Sequence, residues 1–116
     1  MAMKSSPSNG SAPTDALRLF AYGTLRDPAV QHRLFGRTLA GEPDALAGYA
    51  IGSILIARTL YPILRPASAA DIVTGVALAI TSADLAAADS YEGPDYVRIA
   101  ITLRSGRAAF VYVARA

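Results

Sequence analysis

Glycine or proline interrupts this chain so often that only short regular elements fit between the breaks. Gly23, Gly36, Gly48, Gly52, Pro62, Pro66, Gly75, Gly93-Pro94 and Gly106 are spread along it, a punctuation that suits short strands and tight turns. The longest uncharged run, Ala45 to Ala57, has 13 residues, short of the roughly 18 that a membrane-spanning helix needs. At 116 residues the chain has room for one domain, which buries roughly 65% of the unfolded surface. A hydrophobic fraction of 53% against 17% charged residues guarantees a core, yet 24 of the residues are Ala, so elements must approach one another closely.

Residues 1–16 read MAMKSSPSNGSAPTDA, too polar and too poor in bulky side chains to offset ordering entropy, and are expected to form a disordered tail. The domain is expected over 17–116. It opens with a strand at Leu17 to Tyr22, with Leu17, Leu19 and Ala21 on one face, stopped by Gly23. Asp27-Pro28 supplies an N-cap and a first helical residue, and Gly36 a stop after Leu34-Phe35. Ala45 to Leu60, with Gly48 and Gly52 inside it, reads as one bent or bulged strand. Tyr61-Pro62 and Arg65-Pro66 mark a loop or edge. Ile72, Thr74, Val76, Leu78 and Ile80 alternate with smaller residues in a further strand. Thr81 caps an alanine-rich helix that runs to Tyr91 and ends at Gly93-Pro94. Tyr96 to Leu103 and Ala108 to Val113 form a hairpin around Ser105-Gly106. Five or so strands and two or more short helices favour an α+β fold built on a small mixed or antiparallel β-barrel.

With no Cys, the chain has no disulfide, no thiol nucleophile and no Cys-ligated metal, and its one histidine, His32, excludes a multi-His site within one chain. No metal and no cofactor are expected. His32 is expected to be a surface or half-buried side chain rather than a substrate contact. Ten Arg and one Lys oppose seven Asp and two Glu. The Arg residues are scattered from Arg18 to Arg115 without an aromatic-interleaved basic run, so no nucleic-acid partner is expected. The first sixteen residues hold no apolar block of signal-peptide length, which reads as a cytoplasmic protein with no membrane partner.

Two segments carry chemistry. Tyr22-Gly23-Thr24-Leu25 lies between a strand and a helix, where backbone N–H groups can converge on a carboxylate without any lysine and Gly23 permits the turn, with a left-handed backbone if needed. Asp89-Ser90-Tyr91-Glu92-Gly93 closes the alanine-rich helix. Glu92 there meets the negative end of the helix dipole, which raises a carboxyl pKa toward the range of a general acid and base. The plainer alternatives are a glycine that merely breaks a strand and a solvated Glu92 facing Arg98.

Taken together, Tyr22-Gly23-Thr24-Leu25-Arg26 and Asp89-Ser90-Tyr91-Glu92-Gly93, followed by Tyr96 and Arg98, resemble the gamma-glutamylcyclotransferase-like superfamily in order and spacing. The likeness is closest to its short gamma-glutamylamine cyclotransferase branch and covers about Leu17 to Val113. It implies that Tyr22, Gly23, Thr24 and Leu25 bind the glutamyl moiety, that Glu92 is the catalytic acid and base, and that Tyr96 lines the pocket. Ala88 departs from the Leu that often precedes the Asp of the helix motif, which loosens packing under Asp89. The implied reaction is intramolecular: a gamma-glutamyl amide, the small-molecule partner, closes to 5-oxoproline and releases its amine, with no cofactor. The alternative is a binding module of the same fold that holds a small carboxylate or amino-acid-like ligand without turning it over. The leaving amine and the oligomeric state are left open.

Overall fold

A computed structural model of the protein describes residues 17–115; the expected tail over 1–16 lies outside the described residues. Strand β1 (Leu17–Ala21) is the centre of a five-stranded sheet. It runs antiparallel to β5 (Ile72–Ile80) on one side and parallel to β7 (Ala108–Ala114) on the other. Outside these lie β2 (Gly41–Ala47), paired with β5, and β6 (Tyr96–Thr102), paired with β7, giving the order β2-β5-β1-β7-β6. A separate two-stranded ribbon is made of β3 (Tyr49–Ile56) and β4 (Thr59–Pro66).

A central strand is covered on both sides, so its apolar residues run on without alternation. Leu19 and Ala21 pack under the helices with Leu25, Val30, Leu85 and Ala88. Phe20 and Tyr22 point the other way into a second core with Leu46, Leu64, Val73 and Val111, beneath the β3–β4 ribbon. Gly75 makes the close approach possible, because a Cβ there would overlap the carbonyl oxygen of Ala21 and come within 2.8 Å of the Phe20 ring. Ala88 is fully buried.

Both helices begin and end on the expected residues. In α1 (Pro28–Phe35) the Asp27 carboxylate accepts from the Ala29 N–H at 2.9 Å, and Gly36 closes the helix at a φ of 75°. In α2 (Ser82–Glu92) Thr81 and Asp84 form a reciprocal capping box. Arg37 grips the same Asp84 through both guanidinium arms, at 3.0 and 2.7 Å. That grip outweighs burial and, with the Thr81 bonds, holds the Asp84 carboxyl down to about 2. A carboxyl depressed in the folded state stabilises above its unfolded pKa and loses that contribution as pH falls through the folded one. Asp84→Asn is therefore expected to lower stability by about 1–3 kcal/mol at pH 7, with the difference from wild type shrinking between about pH 4 and pH 2. Urea melts across that window check it.

Two expectations about the strands are corrected, the single strand over Ala45 to Leu60 and the strand number. Ala45 to Leu60 is not one bent strand: Gly48, at a φ of 87°, separates β2 from β3, and Ala57 and Arg58, both at positive φ, form the turn into β4. Of the loop or edge expected at Tyr61-Pro62 and Arg65-Pro66 the structure has the edge: both lie within β4, where a two-stranded ribbon leaves positions that tolerate a missing N–H. Among the described residues the strands number seven, against the five or so expected.

The α+β class holds, but the sheet is open where a barrel was expected. Its two edges are pinned at one end rather than zipped together. The Arg104 N–H donates to the Ala45 carbonyl at 2.8 Å, and Asp44 of β2 accepts from the Ser105 hydroxyl at 2.6 Å and from Arg107 at 2.9 Å. Among the described residues no helix is long and apolar enough to cross a membrane.

Candidate active site

The loop leaving β1 and the end of α2 meet over a cavity of about 320 Å³. Tyr22, Gly23, Thr24, Leu25, Glu92 and Tyr96 all line it, so every residue singled out in the sequence for the site is brought to one place. The two segments are also joined directly, because the hydroxyls of Thr24 and Tyr91 lie 2.8 Å apart.

Each loop residue contributes differently. The Tyr22 hydroxyl donates to the carbonyl of Tyr112 at 2.8 Å. Leu25 is buried in the core on the helix side, so its side chain anchors the loop. Residues Thr24–Arg26 form one 3-10 turn, whose internal bonds begin with the Arg26 N–H donating to Gly23 O at 3.1 Å. The amides of Thr24 and Leu25 precede that first bond, as the leading N–H groups of any helical turn do. Gly23 has a φ of −125°, so the left-handed backbone allowed for it is not used. What the position lacks is room: a Cβ there would sit 3.3 Å from the Pro62 ring.

Glu92 is the last residue of α2. Among the described residues its carboxyl forms no salt bridge and no hydrogen bond. Arg98, its partner in the plainer alternative, binds Asp89 instead at 3.3 Å. Burial pushes the Glu92 carboxyl up to about 7. The direction matches the expectation, and the loss of water around the group is its cause.

Tyrosines surround this carboxyl. Burial first, and then the nearby Glu92 charge, raise the Tyr22 and Tyr96 phenols; burial and the Asp89 bond raise Tyr112, with Glu92 adding to it. All three therefore stay protonated near neutrality and keep their O–H groups as donors. Those donors are already engaged: Tyr22 with Tyr112 O, Tyr96 with Pro62 O at 3.0 Å, and Tyr112 with Asp89 Oδ1 at 2.7 Å. A half-buried carboxyl whose neighbouring Tyr22, Tyr96 and Tyr112 donors are committed elsewhere is open to a partner from outside the chain, and an ammonium group is the natural one.

The sequence reading missed Tyr61 and Tyr112 and gave no role to Tyr91 of the helix motif; all three line the cavity, as do Ile56 and Pro62 from the ribbon. A signal was present in the composition. The chain has no Trp and six Tyr, and all but Tyr49 face this one space. His32 is exposed on α1 and takes no part in the lining. Among the described residues no cluster of His, Cys, Asp and Glu could hold a metal ion.

A family model described as gamma-glutamyl cyclotransferase, AIG2-like matches residues 19–116. Among solved structures, one from Arabidopsis thaliana is 26% identical with a TM-score of 0.70, covering 92% of this chain and 66% of that one. A second from Arabidopsis thaliana is 25% identical with a TM-score of 0.72, covering 89% and 73%. A structure described as a gamma-glutamyl cyclotransferase shares the fold at 17% identity and a TM-score of 0.73, covering 87% and 68%. This chain thus spans about two thirds of the length of these relatives. A sequence search of curated proteins finds no match.

Proposed function

The chain belongs to the gamma-glutamyl cyclotransferase, AIG2-like family, and from that premise we propose that it converts gamma-glutamyl amides to 5-oxoproline and a free amine, with Glu92 as the general acid and base. The observation that carries this reading is the Glu92 carboxyl, half-buried, without a partner among the described residues, and poised at about 7 beside the Tyr22–Leu25 loop.

In the proposed reaction the substrate α-ammonium approaches Glu92, and the ionised carboxylate takes one of its protons. The freed amine attacks the γ-carbonyl carbon, forming the new C–N bond of a five-membered ring. As the original amide bond breaks, Glu92 gives that proton to the departing nitrogen, and the ring nitrogen's second proton passes through the same carboxylate to the released amine, so the lactam N–H and an ammonium product balance without water. A carboxyl near 7 populates both forms at neutral pH, which one group working first as base and then as acid requires. The loop amides hold the glutamyl α-carboxylate with charge-assisted bonds. Tyr96 walls the pocket, and confining the glutamyl chain in a folded conformer supplies part of the roughly 7–11 kcal/mol available to well-oriented intramolecular attack.

A panel of gamma-glutamyl amides incubated with the purified protein tests this directly. 5-Oxoproline and the free amine are expected in equal amounts; release of glutamate, or no product from any amide, contradicts it. Gly23→Val tests the loop. The added methyls press on Pro62 and into the pocket, so binding of a non-cyclisable gamma-glutamyl analogue is expected to weaken by on the order of 1–3 kcal/mol while the protein stays folded. Wild-type affinity in calorimetric titration would remove the loop from the glutamyl site.

A further inference from the structure

Tyr112 is joined to both halves of the site by opposite ends of one residue. Its main-chain carbonyl accepts from the Tyr22 hydroxyl at 2.8 Å, at the start of the loop. Its side-chain hydroxyl donates to Asp89 Oδ1 at 2.7 Å, one turn before Glu92. Asp89 closes that last turn itself, because its carbonyl accepts from the Gly93 N–H at 3.2 Å. The other carboxylate oxygen of Asp89 meets Arg98 at 3.3 Å, and the Arg98 guanidinium lies 5.1 Å over the Phe110 ring. The last turn of a helix frays unless something holds it. Here the tether reaches two sheet strands, β6 through Arg98 and β7 through Tyr112, at the end of α2 that carries Glu92.

We propose that Tyr112, acting through Asp89, is a positioning residue that fixes the Glu92 carboxyl relative to the Tyr22–Leu25 loop. Its ring is buried and its hydroxyl is spent on Asp89, so it holds the acid and base in place without taking a proton from the substrate. This inference rests on the proposed cyclotransferase reading for its kinetic arm, and its structural arm stands apart from it. Two properties follow from the geometry. Removing the hydroxyl leaves the carbonyl bond to Tyr22, so the loop keeps its shape. The same joint can be opened from the Asp89 side, where the carboxylate is 44% exposed and truncation leaves no cavity in the core.

The test compares Tyr112→Phe, Asp89→Ala and the double variant. Turnover of a gamma-glutamyl amide is expected to fall about tenfold or more in each single variant, since a misplaced catalytic group is costly. KM is expected to stay within about twofold, because substrate is held by the loop. The double variant is expected to be no worse than the poorer single one, as for two groups in one interaction. Independently of turnover, hydrogen exchange at the Gly93 amide should quicken in both single variants relative to Leu85 in the same helix. Wild-type kcat, or a rise in KM matching the loss of kcat, would overturn the positioning role. Unchanged Gly93 protection would overturn the tether itself. Should wild type release no 5-oxoproline, the cyclotransferase reading falls, and the exchange result alone decides whether Tyr112 and Asp89 hold the helix end.

Discussion

Glu92→Gln is expected to lower cyclotransferase turnover by about 10²–10⁴-fold, the usual contribution of a general acid and base, while binding of a non-cyclisable analogue changes little. The amide keeps the shape of the side chain but neither takes nor gives a proton near neutrality. The same substitution carries a stability signature with a definite sign. In the folded protein the carboxyl is raised from an ordinary 4.5 to about 7 by burial, so wild-type stability is full below the lower value and declines as pH rises through the upper one. Gln bears no such penalty. Glu92→Gln should therefore match wild type near pH 4 and exceed it at pH 8 by on the order of 1–3 kcal/mol, in thermal melts at the two pH values. Retained turnover would remove Glu92 from the chemistry and favour a ligand-binding module; equal stability at pH 8 would mean that the carboxyl is not desolvated.

Gly75→Val is expected to destabilise by about 3 kcal/mol or more, at the upper end of what overpacking costs. The position is not demanding in φ. It faces the Phe20 ring and the Ala21 carbonyl across the β5–β1 pair, where no Cβ fits. Ala21 is the last residue of β1 and leads directly into Tyr22, so any shift that makes room is passed to the site. A drop in melting temperature of roughly 10–20 °C is the expected reading for a domain of this size. A Val variant that melts with wild type would show that β1 and β5 are not so closely apposed.

The elements readable from the chain were those with local, redundant signals. Asp27-Pro28 with Gly36, and Thr81 with Asp84 and Gly93, bracket both helices by capping chemistry that acts within a few residues. The Ile72–Ile80 and Tyr96–Val113 strands carry alternation and a Ser105-Gly106 turn. The β3–β4 hairpin escaped because its turn, Ala57-Arg58, uses two side-chain-bearing residues at positive φ, where Gly, Asn or Asp would have announced it. The open sheet escaped because its edges are pinned by Asp44 to Ser105 and Arg107, sixty or so residues away, and such pairings leave no local trace. At the site, the Tyr22–Leu25 loop and Glu92 were legible as motifs. Tyr112 was not, since in sequence it is one more apolar-flanked residue of an inner strand, and only the fold turns its hydroxyl toward Asp89.

Glu92's capacity to both accept and release a proton near neutrality is most directly read from its own titration. With the carboxyl carbon of Glu92 labelled, its NMR shift can be followed from pH 3 to pH 9 in the free protein. A midpoint near 7 is expected from its burial. A midpoint at the ordinary 4.5 would contradict the assignment of Glu92 as a desolvated acid and base.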